Sequence, residues 1–460
     1  MNFLKLWRQG LLGQWLNRGL PANRRILLRV GWPLWLLPVI FLNQLLAPHM
    51  VWMVLGITLT GLYGLAYLWA RRQSPYITLN RRRVGTILVA GDVLAEEMGL
   101  HNAGSLPLLW AEFIDHSTVP GYAVGRVVAA GASSSFQWRA QAECRQRGVF
   151  QLGPHELNWQ DPLGLFAMTL QDDYRDAVLI YPRVVRLPPV RLPHGDAQGA
   201  DRRRRPLPGA VPAVTVSDYR AGDSLRYVHW SSTARRGRMM VKDLEIEPSG
   251  DIWLVLDLNR AAQRGEGATG TLEQAVVVAA SLAAKWLTGR EQRAVGLLAY
   301  TGVEDGGQPV QVAPGMGRGQ LWQILAALAP VQEGDLSLTR LLDTSVREVG
   351  RRGTVVVITP DLGGDGDARA DWLGALARLN SAGAGSSVVL VTPDDPVATQ
   401  TVAQTMASYT EMLALLDAPV THICAVADLP TMLTYRRRRT VVRSTPTGGV
   451  ISQEVDEEVG

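Results

Sequence analysis

Cysteine is nearly absent: the 460 residues hold only Cys144 and Cys424, 280 positions apart. That excludes a disulfide scaffold and a cysteine-based structural zinc site, and it suits a reducing compartment. The seven histidines are scattered, with no pair at metal-ligand spacing. Excess charge is lacking too. Forty-six Lys and Arg against 42 Asp and Glu leave +4, too little to argue for nucleic acid as a partner. Hydrophobic residues make up 47% and charged residues 19%, so the chain is no disordered polyelectrolyte; its length suits roughly two to four domains. No GxxxxGK[ST] loop, GxSxG elbow, HExxH helix or kinase motif set occurs. Gly315-Met-Gly317-Arg-Gly319 follows a short strand pattern and precedes a helical one. A dinucleotide fingerprint would need a third glycine where Gln320 stands. The sequence therefore predicts no catalytic residue, no enzyme and no small-molecule substrate.

The longest absence is of charge within a single stretch. From Val30 to Ala70 there is no Asp, Glu, Lys or Arg, enough for two bilayer crossings of about 20 residues each. Ala47-Pro48-His49 separates Ile26–Leu46 from Met50–Ala70, and proline disfavours a helix running through that point. Residues 26–72 thus read as a transmembrane helical hairpin. Lys5, Arg8, Arg18, Arg24 and Arg25 precede it and Arg71, Arg72, Arg81, Arg82 and Arg83 follow, while the turn has no Lys or Arg. The positive-inside rule then puts both termini in the cytoplasm, as in a two-pass plasma-membrane protein. Trp32, Trp35, Trp52 and Trp69 sit near the span ends as interfacial anchors. Spans without ionisable residues offer no ion path, so the hairpin reads as an anchor in the lipid bilayer. In residues 1–25, Phe3, Trp7, Leu11 and Trp15 recur every four positions. That pattern fits an amphipathic helix on the inner leaflet or a cytoplasmic tail.

Residues 76–186 are β-rich. Short β-branched runs (Ile77–Leu79, Thr86–Val89, Gly125–Val128) and alternating segments (Ala111–Asp115, Gly148–Leu152) are punctuated by turn residues, which predicts a β-sandwich-like domain. Asp161–Phe166 reads as a turn into the next strand. Residues 187–249 read as a linker, with six prolines between Pro188 and Pro212 and the run Arg202–Arg205, followed by a polar, aromatic segment. From 250 to 434 apolar strands alternate with helices. Strands are expected at 252–256, 294–300, 354–358, 387–391 and 420–426. Helices are expected at 272–287, 321–328, 338–349, 371–379 and 402–416. That alternation predicts a mostly parallel, doubly wound α/β domain. Residues 435–460 read as a disordered tail.

The polar segment pairs aromatics with arginines around a Gly-Asp turn: Tyr219, Arg220, Gly222, Asp223, Arg226, Trp230 and Arg235. Asp223 suits an Asx turn or a bidentate arginine, and arginine planes stack on tryptophan. Two readings stand, a brace between domains and a surface that docks a partner. The segment, with Met240-Val-Lys242 after it and Arg147-Gly148-Val-Phe, Asp161–Phe166 and Tyr181-Pro182 before it, resembles the domain of unknown function 58 family. His229 stands where many members have Asp.

The resemblance implies a von Willebrand factor A-like fold for the domain from 250. It also implies a divalent ion above the strand ends and a MoxR-type AAA+ ATPase as partner. On this chain the ion ligands would be Asp257, Asn259 and Asp361, a degenerate Mg²⁺ set, since Ala261 has no oxygen to offer and Arg260 adds positive charge. Alternatively Asp257 and Asp361 cap helices. The expected function is a non-catalytic, membrane-anchored adaptor facing the cytoplasm. A structural or assembly role in the envelope comes second, and an enzyme of unrecognised chemistry third.

Overall fold

Period-two alternation organises the first half of the chain and continuous apolar strands the second, so two kinds of core result. The computed structural model describes residues 11–190, 192, 216–219, 228–242, 250–289, 292–302, 307–349, 353–361, 372–392, 410, 413–416, 418–424, 426, 429–433, 435–444 and 450–459. The chain divides into Met1–Tyr181 with Thr434–Gly460, and Pro182–Leu433.

The first unit begins with helix α1 (Leu11–Leu16) and strand β1 (Arg24–Leu28). A short 3-10 turn, Trp32–Trp35, then leads into α2 (Leu36–Leu46), and α3 (Met50–Gln73) follows. Next come β2 (Ile77–Val84), β3 (Leu88–Val89), β4 (Val93–Asn102), β5 (Leu108–Asp115) and β6 (Arg126–Ala130). They are followed by β7 (Ser134–Glu143), β8 (Gly148–Leu152), β9 (His155–Gln160), β10 (Phe166–Asp172) and β11 (Asp176–Tyr181). Three sheets, ordered β1-β10-β9-β5-β6, β2-β4-β7 and β3-β11-β8, share one apolar core that includes Phe113, Trp138, Trp159 and Met168.

The expected first span, Ile26–Leu46, is corrected at its start. Arg24–Leu28 alternates buried and exposed, Ile26 is fully buried, and the strand pairs antiparallel with β10, Ile26 opposite Met168. Helix begins only at Trp32, where Pro33 presets the first turn. The apolar helix Trp32–Leu46 is therefore 15 residues long. Among the described residues one helix, Met50–Tyr76, is long and apolar enough to cross a membrane by length and composition. Its second half is also bound to the β core. Tyr63, Ala66, Ala70 and Gln73 are buried on one face. The Tyr63 hydroxyl donates to Val30 O at 2.9 Å, and Trp159 Nε1 donates to Gln73 Oε1 at 3.0 Å.

Arg81 departs from the expected role of a basic flank. Its Nε and Nη2 donate to the two Glu96 oxygens at 2.9 and 2.7 Å, and its Nη1 to Asp115 at 2.5 Å. All three side chains are buried, so the ion pair ties β2 and β4 to β5 of the neighbouring sheet. Burial disfavours the guanidinium's charge, but Glu96 and Asp115 outweigh it and raise the pKa. The Tyr122 hydroxyl also donates to Glu96. Its pKa is raised by burial and then by that carboxylate.

In the second unit β12 (Val216–Asp218) pairs with β13 (Met240–Lys242), enclosing helix α4 (Trp230–Arg236). Pro182 already belongs to this unit, rather than the chain crossing over after 186: Val184 and Val185 are buried, and Val185 N donates to Ser281 Oγ at 2.9 Å.

The main sheet holds β14 (Ile252–Leu256), β15 (Val295–Thr301), β16 (Gln308–Gly315), β17 (Thr354–Thr359), β18 (Gly385–Val391) and β19 (Val420–Ile423). Its order is β16-β15-β14-β17-β18-β19, parallel except for the edge strand β16. Helices α5 (Thr271–Thr288), α6 (Gly317–Leu328), α7 (Leu338–Val349) and α8 (Trp372–Ser381) are interleaved with these strands. α7 and α8 pack on the face carrying Trp253, Val255, Val355 and Val357. This is the doubly wound sheet expected; most of the helix read at 402–416 lies outside the described residues. The tail expected to be disordered forms an antiparallel pair, β20 (Tyr435–Ser444) with β21 (Val450–Val459), the register setting Arg436–Arg438 opposite Glu458, Glu457 and Asp456.

Candidate functional site

Strand order reverses direction between β14 and β17, and in open α/β sheets the crevice beyond the strand carboxyl ends at such a point is where ligands bind. Asp257 follows β14 directly and is 1% exposed. Thr359, the last residue of β17, donates its hydroxyl to Asp257 Oδ2 at 2.6 Å, and Asn259 N donates to Oδ1 at 3.0 Å. Asp361 N donates to Thr359 Oγ1 at 3.0 Å. Burial pushes the Asp257 carboxyl up to about 6; the Thr359 and Asn259 hydrogen bonds oppose that shift, and Asp361 adds to it. Thr359 is the member of this group that sequence reasoning left out. Its signal was a hydroxyl at the end of an apolar strand, followed by Pro360-Asp361.

The structure brings Asp257, Asn259 and Asp361 to one place, with the Asp257 and Asn259 oxygens hydrogen-bonded within the loop. Both Asp257 oxygens accept protein hydrogen bonds, and Asn259 Oδ1 accepts from Ala261 N at 3.2 Å. Arg260 turns to Glu333 and Asp335, at 3.4 and 4.0 Å. Among the described residues no group of three His, Cys, Asp or Glu is placed to hold a metal. The donor set braces the loop. The Gly315–Gly319 segment is closed in a similar way: Gln320 Nε2 donates to Val295 O and Ala313 O at 2.8 and 2.7 Å.

In the polar segment, Arg220, Gly222, Asp223 and Arg226 lie outside the described residues. Tyr219, Trp230 and Arg235 are described. Tyr219 N donates to Met239 O at 2.9 Å, extending the β12–β13 pairing. α4 starts at His229, whose Nδ1 accepts from Ser232 N at 3.3 Å and lies 2.7 Å from Ser232 Oγ. It ends at Gly237, φ +66°, a left-handed cap that suits glycine. His229 thus accepts the hydrogen bond that an N-cap Asp would accept. Met240 and Val241 are buried beneath. Trp230 is 68% exposed, beside exposed Arg235 and Arg236 on the same short helix. Arg238 pairs with Asp218 at 3.1 Å.

Residues 215–398, about two fifths of the chain, match the family model described as "Protein of unknown function DUF58". No curated protein matches the chain. Among solved structures, the pilus adhesin SpaC from Lactobacillus rhamnosus GG overlaps at 14% identity and TM-score 0.26, over 38% of this chain and 28% of its own. An aerotolerance-related membrane protein from Bacteroides fragilis overlaps at 15% identity and TM-score 0.22, over 45% of this chain and 82% of its own. The conserved hypothetical protein BatB from Bacteroides thetaiotaomicron overlaps at 15% and 0.24, over 38% and 91%. Such TM-scores leave the fold to be argued from the chain's own strand order.

Proposed function

We propose that this chain is a non-catalytic adaptor anchored in the plasma membrane. In this reading α2 and α3 form a two-pass hairpin with both chain ends cytoplasmic. The α/β unit is a von Willebrand factor A-like scaffold that works without a metal, and the partner is a MoxR-type AAA+ ATPase. The observation that carries the docking role is Trp230, 68% exposed with Arg235 and Arg236 beside it, inside the segment that matches the family model. Tryptophan and arginine dominate the energetically decisive centres of protein interfaces, and this seven-residue helix carries both in exposed positions. The anchor reading is supported by bare apolar side chains along the hairpin, from Trp35 and Phe41 to Met50 and Ile57.

The test is binding of the full chain, in detergent or nanodiscs, to the purified ATPase. Trp230→Ala should weaken binding about thirtyfold, the scale of a 2 kcal/mol hot spot, with an unchanged circular dichroism spectrum. A folded variant that binds as the parent does removes the docking surface from α4.

A further inference from the structure

We propose that the rim of the first unit around α3, carrying Trp15, Leu27 and Leu163, is seated in the headgroup layer of an anionic bilayer. This rests on the membrane-anchored reading and extends it from the hairpin to the β-sheet unit.

The argument begins with depth. From Met50 to Thr58, before Leu59 packs against the β core, the helix runs for nine residues, about 14 Å at 1.5 Å per residue, whereas a hydrocarbon core is about 30 Å thick. From Tyr63 onward one face of α3 is buried against protein, yet the opposite face stays bare, with Leu65 68% and Leu68 57% exposed. A bilayer that covers the bare face to Leu68 therefore reaches, on the other side of the helix, whatever is packed against Tyr63 and Tyr67.

What is packed there ends in exposed apolar side chains. Trp15 stacks on Tyr67 at 5.5 Å and is 59% exposed. Phe166 meets Tyr63 and Tyr67 at 6.4 and 5.8 Å. The turn just before Phe166 is held by Asp161, whose oxygens accept from Leu163 N at 2.9 Å and Phe166 N at 2.5 Å. That turn presents Leu163, 53% exposed. Leu27, 42% exposed, lies on the outer face of β1 opposite Ala167. Trp15 and Leu163 thus stand next to residues packed on α3, and Leu27 on the strand paired with β10; an interfacial segment buries such groups about 5–10 Å into the headgroup boundary.

Charge selects the lipid. The chain has eleven Lys and Arg and no Asp or Glu before Asp92. Arg25 and Arg29, both exposed, flank Leu27, and exposed Arg18 follows α1. Basic side chains near an anionic membrane surface are drawn to it.

The test uses the full chain with Cys424→Ser, since buried Cys144 stays out of reach of thiol reagents. One environment-sensitive fluorophore is placed at Leu163→Cys or, separately, at Ile57→Cys. The protein is reconstituted in phosphatidylcholine–phosphatidylglycerol vesicles containing lipids spin-labelled at shallow or deep positions. Position 57 should be quenched mainly by the deep label. Position 163 should be quenched about twofold more by the shallow label than by the deep one, and shielded from aqueous iodide, as an interfacial depth requires. Deep quenching at 57 with free iodide access and no lipid quenching at 163 overturns the seated rim and leaves the anchor standing. No lipid quenching at 57 overturns the anchor and the rim together.

Discussion

At the scale of single residues, Asp257 and His229 each make local hydrogen bonds that the sequence pattern alone does not reveal. Asp257 has a folded-state pKa of about 6 against an ordinary 3.8. The folded state therefore holds the proton more tightly than the unfolded state does. By linkage, the stability from this group is present below about pH 4, falls as pH rises, and is lost above about pH 6, a change of roughly 3 kcal/mol. Asp257→Asn keeps an acceptor for Asn259 N and places an amide donor beside Thr359 Oγ1, but it cannot titrate. Relative to Asp257→Asn, the parent's urea midpoint should therefore fall between pH 4 and 6; parallel profiles would refute a titrating Asp257. His229 is predicted by its capping role alone. His229→Asp should keep or raise the thermal midpoint, and His229→Ala should lower stability by about 1 kcal/mol, the usual worth of an N-cap acceptor. Equal losses for Asp and Ala would mean that the ring matters for something other than its acceptor.

At the scale of elements, the α/β unit was the legible part. Ile252–Leu256 and Leu338–Val349 fall where the residue pattern puts them, and the other expected elements that the described residues cover lie within a few residues. Buried parallel strands are unbroken apolar runs bounded by turn residues, a signal that needs no partner to interpret. β1 was hidden for the opposite reason. Its two apolar core positions, Ile26 and Leu28, merge without a break into the hairpin's apolar run, so length and absence of charge outweigh a two-residue period. β4 and β7 were also missed. β4 buries Glu96 against Arg81, and β7 carries Gln137, Arg139 and Gln141 between its apolar positions, so polar residues blur the alternation. At the switch point the sequence yielded Asp257 and Asp361 but not the hydroxyl between them, because only the sheet register sets β17 beside β14. If β1 belongs to the β core, Ile26→Ala should destabilise the first unit by about 2–5 kcal/mol. Ile57→Ala, on a side chain 67% exposed, should leave the unfolding midpoint unchanged. Equal effects in a denaturant titration would return Ile26 to the membrane segment.

At the scale of the whole chain, the same packing says how the protein can and cannot be made soluble. Cutting at residue 74, where the composition changes, removes β1, α1 and α3 from the first unit. That strips the partner strand from β10, uncovers Phe166, and takes Gln73 from the Trp159 indole. An indole N–H left buried without an acceptor costs about 1–3 kcal/mol by itself, before the lost apolar cover is counted. Excising only residues 36–60 and joining Trp35 to Gly61 with a short Gly-Ser loop is a different operation. It deletes side chains that are mostly bare and keeps Tyr63, Ala66, Ala70 and Gln73 in place. The excised variant should stay in solution without detergent and unfold cooperatively, with Trp159 shielded from acrylamide. A chain starting at 74 should aggregate or give no cooperative transition. If instead the chain starting at 74 is soluble and as stable as the excised variant, α3 is only a tether, and the first unit carries its own complete core without it.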